Sequence, residues 1–236
     1  MDIVIAAAGK GTRLKGLTQD IPKHIIPIHG RPFLFFLLDA VLEAQFRRVI
    51  IVGGHHFEQL AAAVQQYGHS DQIVLVNQFE KIDTKTYGTA CPLLACADII
   101  QGDRFVYTMG DHLVSARDLQ QMQQSTRDLL VGVTEHHEPE RYGVIEYGED
   151  NRLVRIIEKP QRPTSNDINV GLYTLTPDLI PLLRTLPASA RKEYEITDAI
   201  NKVAMTRPVR VVHLQDYWLD LGRPEDIESL EKFLRV

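Results

Sequence analysis

Asp2-Ile3-Val4-Ile5-Ala6-Ala7 runs directly into Ala8-Gly9-Lys10-Gly11-Thr12-Arg13-Leu14, and Ile21-Pro22-Lys23 follows closely. The first six residues are almost wholly apolar, as a strand covered on both faces of a sheet must be. The next seven carry two glycines, so backbone N–H groups can close around an anion. Arg13 and Lys23 add fixed positive charge where a chain of phosphates would lie. A strand ending in such a loop reads as the opening of an α/β fold with a phosphate-handling edge. It is not a Walker loop, because no G-x-x-x-x-G-K-[ST] stands at this strand end. Nor is it the full dinucleotide fingerprint, because Leu14 stands where the third glycine belongs.

Outward from the loop, strands and helices alternate. Apolar runs at Ile3–Ala7, Val49–Val52, Ile73–Val76, Phe105–Met109 and Leu129–Val133 predict strands. Helix-period segments at Phe33–Gln45, Phe57–Tyr67, Thr89–Ala97 and Ala116–Gln124 lie between them. This is a doubly wound α/β layout, a three-layer fold on a mixed, mostly parallel sheet whose ligands bind at the carboxyl ends of the strands. Both Gly9–Arg13 and Gly110-Asp111-His112 follow strands at that edge. The second half changes character. Tyr142–Tyr147 and Leu153–Glu158 read as antiparallel strands around the turn Gly148-Glu149-Asp150-Asn151. Ile168–Leu175 is a further strand, helices follow from Pro177 and Ile196, and Val209–Leu214, Tyr217–Leu221 and a helix from Pro224 close the chain. Arg162–Asp167 reads as a loop. With no repeat, low-complexity segment or long linker, the expectation is one domain over 1–236, with halves at 1–135 and 136–236.

Composition narrows the class. The chain has 236 residues, 44% hydrophobic and 24% charged, as in ordinary globular proteins. A net charge of −5 offers no general attraction for nucleic acid. Cys91 and Cys96 have neither C-x-x-C nor zinc spacing and read as buried thiols of a reducing compartment. The apolar run near Phe33–Leu38 is core and far short of a membrane span. Met1 leads straight into a strand with no signal-like segment, so the expected location is the cytoplasm.

With these elements in order, eight short signatures fall into line: Ala8–Leu14, Pro22-Lys23, Gly88-Thr89-Ala90, Gly110-Asp111, Tyr142-Gly143, Glu158-Lys159-Pro160, Asn169-Val170-Gly171 and Trp218-Leu219-Asp220-Leu221-Gly222. In content, order and spacing the chain resembles the sugar-1-phosphate nucleotidylyltransferases over essentially its full length. The resemblance implies a Rossmann-like nucleotidyltransferase fold. It implies a reaction in which a sugar phosphate oxygen attacks the α-phosphorus of a nucleoside triphosphate and pyrophosphate leaves. The attacking group is already an anion, so the chemistry needs positioning and charge stabilisation more than a base, usually with Mg²⁺.

Carried over residue by residue, Arg13, Lys23 and Asp111 are the expected catalytic groups. The expected nucleotide site is Ala7, Ala8, Gly9, Gly11, Thr12, Arg13, Lys23, Gly88 and Thr89. The expected sugar-phosphate site is Gly143, Glu158, Lys159, Asn169 and Gly171, with Lys159 meeting the sugar's phosphate and Glu158 accepting a hydroxyl. Asp111 and Asp220 are expected to hold Mg²⁺, each at the sheet edge where an apolar strand ends. The structural alternatives are that Asp111 caps the helix beginning near Ser115 and that Asp220 pairs with Arg223. The expected partners are small molecules, an NTP and a sugar 1-phosphate, with no nucleic acid or membrane and with homo-oligomerisation left open.

Some residues stay unassigned. In many relatives a glutamine a few residues before the Gly88 position reads the base. Gln78 lies farther away, so the base is open. Met109-Gly110-Asp111-His112 is closer to the inositol-1-phosphate cytidylyltransferases, which keeps a polyol phosphate as an alternative acceptor. A non-catalytic nucleotide-sugar sensor of the same fold is a third reading, against which stands the presence of Arg13, Lys23, Asp111 and Asp220 together. A dinucleotide-dependent dehydrogenase is disfavoured, because the second strand runs into Gly53-Gly54 without an acidic residue. The chain ends after its last helix without the β-helix tail of bifunctional acetyltransferase relatives, so no second activity is expected. His55-His56 and His136-His137 read as loop histidines, Glu228–Lys232 as an exposed i,i+4 pair. Glu193–Asp198 reads equally as helix-start chemistry or as part of the acceptor site.

Overall fold

The structure is a computed structural model and describes residues 1–69, 71–83, 86–124 and 128–234. Strand β1 (Asp2–Ala7) leads into a 3₁₀ turn at Thr12–Thr18. A second 3₁₀ turn at Lys23–Ile25 precedes the short β2 (Pro27–Ile28) and β3 (Arg31–Pro32). Then come α1 (Phe33–Glu43), β4 (Arg48–Gly53), α2 (Phe57–Tyr67), β5 (Ile73–Asn77), α3 (Gln78–Lys81) and α4 (Cys91–Ala95). β6 (Phe105–Met109), β7 (His112–Val114), α5 (Ala116–Met122) and β8 (Leu129–Glu135) complete the first half. The second half holds β9 (Gly143–Tyr147), β10 (Leu153–Glu158), β11 (Asp167–Leu175), α6 (Leu179–Thr185), α7 (Ile196–Ala204), β12 (Val209–His213), β13 (Trp218–Asp220) and α8 (Pro224–Phe233).

Among the described residues nine strands form one sheet in the order β10-β9-β11-β6-β1-β4-β5, with β8 pairing β11 and β12. β5, β4, β1 and β6 are mutually parallel. β11 runs antiparallel to β6, β8 and β9, β12 is parallel to β8, and β10 is antiparallel to β9. Following the directions through, β10 and β11 alone oppose the rest, so the sheet is mixed and mostly parallel. Alternate residues of β1 serve opposite faces. Val4 and Ala6 join the core beneath α4, α6 and α7, while Ile3, Ile5 and Ala7 join the core beneath α1, α2, α5 and α8. This gives the three layers expected from the alternating pattern.

Element ends differ where local chemistry stops a helix. α1 ends at Glu43 rather than Gln45, because Gln45 adopts φ 61°. α4 is confined to Cys91–Ala95, because Ala90 and Thr89 are already bonded to Tyr194 and Glu195 and Pro92 lies in the first turn. Ser115, not Asp111, caps α5 by accepting from the Asp118 N–H. Asp220 ends a strand, but not one of the main sheet. β13 pairs with β7 in a separate two-stranded ribbon, in register Asp220↔His112. No helix among the described residues is long and apolar enough to cross a membrane.

One sheet edge is closed by a side chain. Asn201 of α7 accepts from the Ile156 N–H at 2.7 Å and donates to the Ile156 carbonyl at 2.8 Å, acting as the peptide that β10 lacks. Asn201→Ala is expected to cost about 1–2 kcal/mol in urea unfolding. A change within about 0.5 kcal/mol of wild type, the range of ordinary surface substitutions, would mean that this bond pair does not hold the edge.

Candidate functional site

The carboxyl edge of β1, β5 and β6 opens on a cleft of about 490 Å³ that both halves line. Gly11 enters the 3₁₀ turn with φ 64°, a left-handed conformation that suits glycine. The loop is fastened by the Leu14 N–H to the Gly11 carbonyl at 2.9 Å and by the Thr18 hydroxyl to the same oxygen at 3.0 Å. Leu14 is buried in the core beneath α1. The Gly110 N–H donates to the Ala6 carbonyl at 2.9 Å, extending the β1–β6 pairing so that the loop and Asp111 end side by side. Lys23 donates to the Asp111 carboxylate across the cleft floor. Burial alone would raise the Asp111 carboxyl, but Lys23, His112 and His24 outweigh it and hold it well below the usual carboxylate range.

Asp220 reaches the same cleft through the ribbon, where the Leu221 N–H donates to the Asp111 carbonyl at 2.8 Å. Arg223 forms a capping box with Asp226 instead of serving Asp220. Asp220 Oδ1 is buried without a hydrogen-bond partner, and burial raises its carboxyl, with His112 opposing and Asp111 adding to the shift. His24 is buried as well, both ring nitrogens unpartnered. Burial, then Lys23, push it down to about 3 against the opposing pull of Asp111.

On the second-half side of the cleft, β9 and β10 bring Gly143 and Glu158 opposite each other. Lys159 turns at φ 46°, its N–H donating to the Tyr142 carbonyl at 2.9 Å. Asn169 donates to the Tyr173 hydroxyl at 2.7 Å and accepts from the Gly171 N–H at 3.2 Å. Gly171 has φ 67°, and a Cβ there would sit 2.7 Å from the Met109 side chain, so the position needs glycine on both counts. Lys159 is held below the usual lysine range by burial, then by Arg191 and Arg13. Three cations from three distant segments therefore converge. Among the described residues neither Arg13 nor Lys159 has a carboxylate within ion-pair reach.

Of the expected site residues, Ala8, Gly9, Gly11, Thr12, Arg13, Lys23, Gly88, Thr89, Asp111, Gly143, Glu158, Lys159, Asn169, Gly171 and Asp220 line the cleft. Ala7 is buried just behind, in register with Gly53. The cleft also takes in residues that motif spacing left aside. Gln78 opens α3 at the end of β5, buried, with Oε1 unpartnered. Glu193, Glu195 and Thr197 line the cleft beside Glu158, so that segment belongs to it. Arg191 lies 2.8 Å from Glu193, 3.5 Å from Glu158 and 3.6 Å from Glu195, and had no signal of its own in the sequence.

Aromatic rings gather beside Tyr142: Trp218 at 5.3 Å and His136 at 4.8 Å between centroids, both edge to face. They pack on one another rather than around an opening, and the Arg141 guanidinium lies over the Tyr142 ring at 5.6 Å. A ring face that already carries a cation does not suit a quaternary ammonium ligand. His136 stacks on His137, and no cluster of three or more metal-ligating His, Cys, Asp or Glu occurs among the described residues.

A sequence model of the nucleotidyl transferase family matches residues 3–235. The bifunctional protein GlmU of Methanococcus vannielii is 32% identical over 239 residues, covering 99% of this chain and 55% of that protein. The UTP–glucose-1-phosphate uridylyltransferase AglF of Haloferax volcanii is 32% identical over 241 residues, covering 100% of this chain and 97% of that protein. The chain thus spans about half the length of the GlmU relatives and nearly all of AglF. A UDP-glucose pyrophosphorylase structure from Acinetobacter baumannii superposes with a TM-score of 0.81 at 22% identity, covering 97% of this chain and 90% of that one, a likeness of fold.

The acidic side of the cleft generates a pH test. Burial raises the Glu195 carboxyl to about 7; Arg191 opposes the shift, Glu158 and Glu193 add to it. A carboxyl raised in the folded state binds its proton more tightly there than in the unfolded chain. Its contribution is full below pH 4.5 and is lost as pH rises through 7, on the order of 1–3 kcal/mol. His24, depressed to about 3, works in the opposite sense as pH falls below 6.5. The expected result is therefore a difference: Glu195→Gln gains stability relative to wild type at pH 8 and loses that gain at pH 5. Urea unfolding at both pH values checks it, and a pH-independent difference would contradict it.

Proposed function

Because the chain belongs to the nucleotidyl transferase family, we propose that it transfers a nucleoside monophosphate from a nucleoside triphosphate to a sugar 1-phosphate, forming an NDP-sugar and releasing pyrophosphate. The observation that carries the reading is the convergence of Arg13, Lys159 and Arg191 where the two halves of the cleft meet, with burial first and then repulsion from the two arginines lowering Lys159. Two phosphates brought together there would relieve that repulsion.

In this reading an oxygen of the sugar phosphate attacks the α-phosphorus, the bond from that phosphorus to the bridging oxygen breaks, and pyrophosphate leaves with its electron pair. No proton need be removed from the attacking group. The protein's part is to align two polyanions and offset charge at the α-phosphate. The Gly9–Arg13 loop and Lys23 serve the triphosphate. Lys159 serves the acceptor phosphate, and Glu158 accepts a sugar hydroxyl. Glu158 is raised by burial, which Arg191 and the Thr197 hydroxyl oppose. Gln78 offers its unpartnered carbonyl oxygen to a base N–H.

Asp111 and Asp220 fit a divalent cation: both line the cleft, and the Oδ1 atom of Asp220 is buried with no hydrogen-bond partner among the described residues. Mg²⁺ is commonly held by one or two carboxylates plus substrate phosphates. Bound there, it would supply positive charge to the phosphates. Lys23, which donates to Asp111, would keep that carboxylate ionised and oriented.

AglF, whose name specifies UTP and glucose 1-phosphate, makes that pair the first to test. Pyrophosphate release is measured with UTP, dTTP, CTP and GTP crossed against hexose, heptose and inositol phosphates and phosphocholine, with and without Mg²⁺. Turnover is expected with a sugar 1-phosphate and not with phosphocholine. Efficient use of phosphocholine overturns the acceptor reading, and no release with any pair in Mg²⁺ overturns the enzymatic one. Asp111→Asn is expected to lower kcat about 10²-fold or more, and near-wild-type turnover would remove Asp111 from its role.

The two cation sets should separate in kinetics. Lys159→Ala is expected to raise the acceptor's KM more than that of the NTP, whereas Lys23→Ala lowers kcat. Equal effects of both substitutions on NTP affinity alone would refute the division. Glu158→Gln is expected to fold normally and to lower activity with the true acceptor, because a hydroxyl loses its charged partner.

A further inference from the structure

Tyr87 lines the cleft, yet its side chain is 42% exposed, whereas Tyr173 in the same cleft is buried. The main chain beneath the ring is held on both sides. The Tyr87 carbonyl accepts from the Tyr194 N–H at 2.8 Å, and the Ala90 N–H donates to the Tyr194 carbonyl at 2.9 Å. Between them Gly88, at φ 139°, lies so close to Tyr194 that a Cβ there would overlap its backbone. A large aromatic ring is thus held out into the cleft on a fixed stem, with apolar surface left uncovered at a hydrophobic cost.

What meets the ring is a cation. Lys10, from the glycine loop after β1, places its ammonium over the ring, 5.8 Å from the centroid. Among the described residues Lys10 has no carboxylate within ion-pair reach. An exposed cation–π contact is weaker than the stacking of a nucleobase on an aromatic ring, so a base can replace the ammonium there. Burial, then Glu193 and Asp111, raise the Tyr87 hydroxyl while Arg13 and Arg191 oppose them, so the tip of the side chain lies in the field of the cleft's charged groups. Gln78, at the end of β5, lines the same cleft with its Oε1 buried and unpartnered. An amide oxygen can meet one edge of a planar heterocycle but leaves its face uncovered. The Tyr87 ring supplies a face.

We propose that Tyr87 is the platform on which the nucleobase stacks, the base displacing Lys10 from the ring and Lys10 turning to the triphosphate. The inference rests on the nucleotidyl-transfer reading, in which the Gly9–Arg13 loop holds the triphosphate and the nucleoside extends toward Gly88. Every base has a π-face, so the platform supplies affinity without choosing a base, and the choice is left to edge contacts such as that of Gln78.

The test compares UTP with inorganic tripolyphosphate, which carries the phosphates without the nucleoside, by calorimetry in Mg²⁺ on the full chain. Tyr87→Leu, which removes the π-face, is expected to weaken UTP about tenfold, within the usual range for loss of one base–aromatic stack. It leaves tripolyphosphate unchanged, and CTP and GTP weaken along with UTP. Tyr87→Phe, which keeps the ring and loses the hydroxyl, is expected to bind all of these ligands as wild type does. A merely structural role would lower the melting temperature or weaken UTP and tripolyphosphate alike. Unchanged UTP affinity in folded Tyr87→Leu overturns the proposal, as does an equal loss for tripolyphosphate. A loss confined to UTP, or one as large in Tyr87→Phe as in Tyr87→Leu, overturns it too. If Tyr87→Leu does not fold, Tyr87→Trp decides. Its emission is expected to be quenched by UTP and not by tripolyphosphate, and a response no larger than that of Trp218 in wild type overturns the platform. Pyrophosphate release by wild type with UTP and glucose 1-phosphate, measured alongside, separates the two claims. Release together with unchanged UTP affinity in Tyr87→Leu defeats the platform alone, and no release with any pair in the substrate panel defeats the reading beneath it.

Discussion

A lysine and an aspartate share the floor of the cleft, and neither charge could rest there alone. Lys23 and Asp111 are 13% and 17% exposed, in a place where an unpaired charge would cost several kcal/mol. Their meeting requires the sheet. Lys23 comes from the 3₁₀ turn after Pro22 and Asp111 from the end of β6, and they are 88 residues apart in the chain. The β1–β6 register, with Ala6 opposite Met109, sets the phosphate loop beside Gly110-Asp111. The β7–β13 ribbon then sets Asp220 opposite His112. Once this floor is fixed, the acceptor strands have one edge against which to build.

The parts legible in sequence are those whose physics is local. A strand that runs into a glycine loop declares itself, because the apolar run, the backbone freedom and the charges are contiguous. The alternation of apolar runs and helical periods reports the doubly wound layers, because a parallel sheet must be apolar on both faces. Glu158-Lys159 and Asn169–Gly171 were also legible, but through resemblance. On spacing alone a Glu-Lys pair at a strand end reads as a solvated edge.

What escaped was made by pairing across long distances. Thr89 and Glu195 are 106 residues apart, and nothing in either segment names the other. Gln78 looks remote from Gly88 by count, yet it begins a helix at the very end of β5 and so faces the same cleft. Asp220 was expected at an edge of the main sheet, since an apolar run precedes it. A three-residue strand cannot announce which partner it takes, and here the partner is β7. Glu193–Asp198 was ambiguous for a related reason. Ile196 does start a helix, as helix-start chemistry would have it, while Glu195 and Thr197 use the same turn to reach Thr89 and Glu158.

The distribution of charge follows from the same division. The chain is net acidic, at −5, yet its cleft is lined by several lysines and arginines. Half of the lysines and arginines lining the cleft are matched to carboxylates within the fold: Lys23 to Asp111, Arg141 to Glu138, and Arg191 to three glutamates. Pairing of this kind prevents a continuous basic surface, which would attract any polyanion regardless of shape. Lys10, Arg13 and Lys159, drawn from both halves, have no carboxylate within ion-pair reach among the described residues. Their mutual repulsion is tolerable in water and becomes useful when an anion enters between them. Under the proposed function, this placement of the carboxylates would favour two small phosphates over nucleic acid. The acidic cluster around Arg191 is as much a part of the proposed anion site as the cations are.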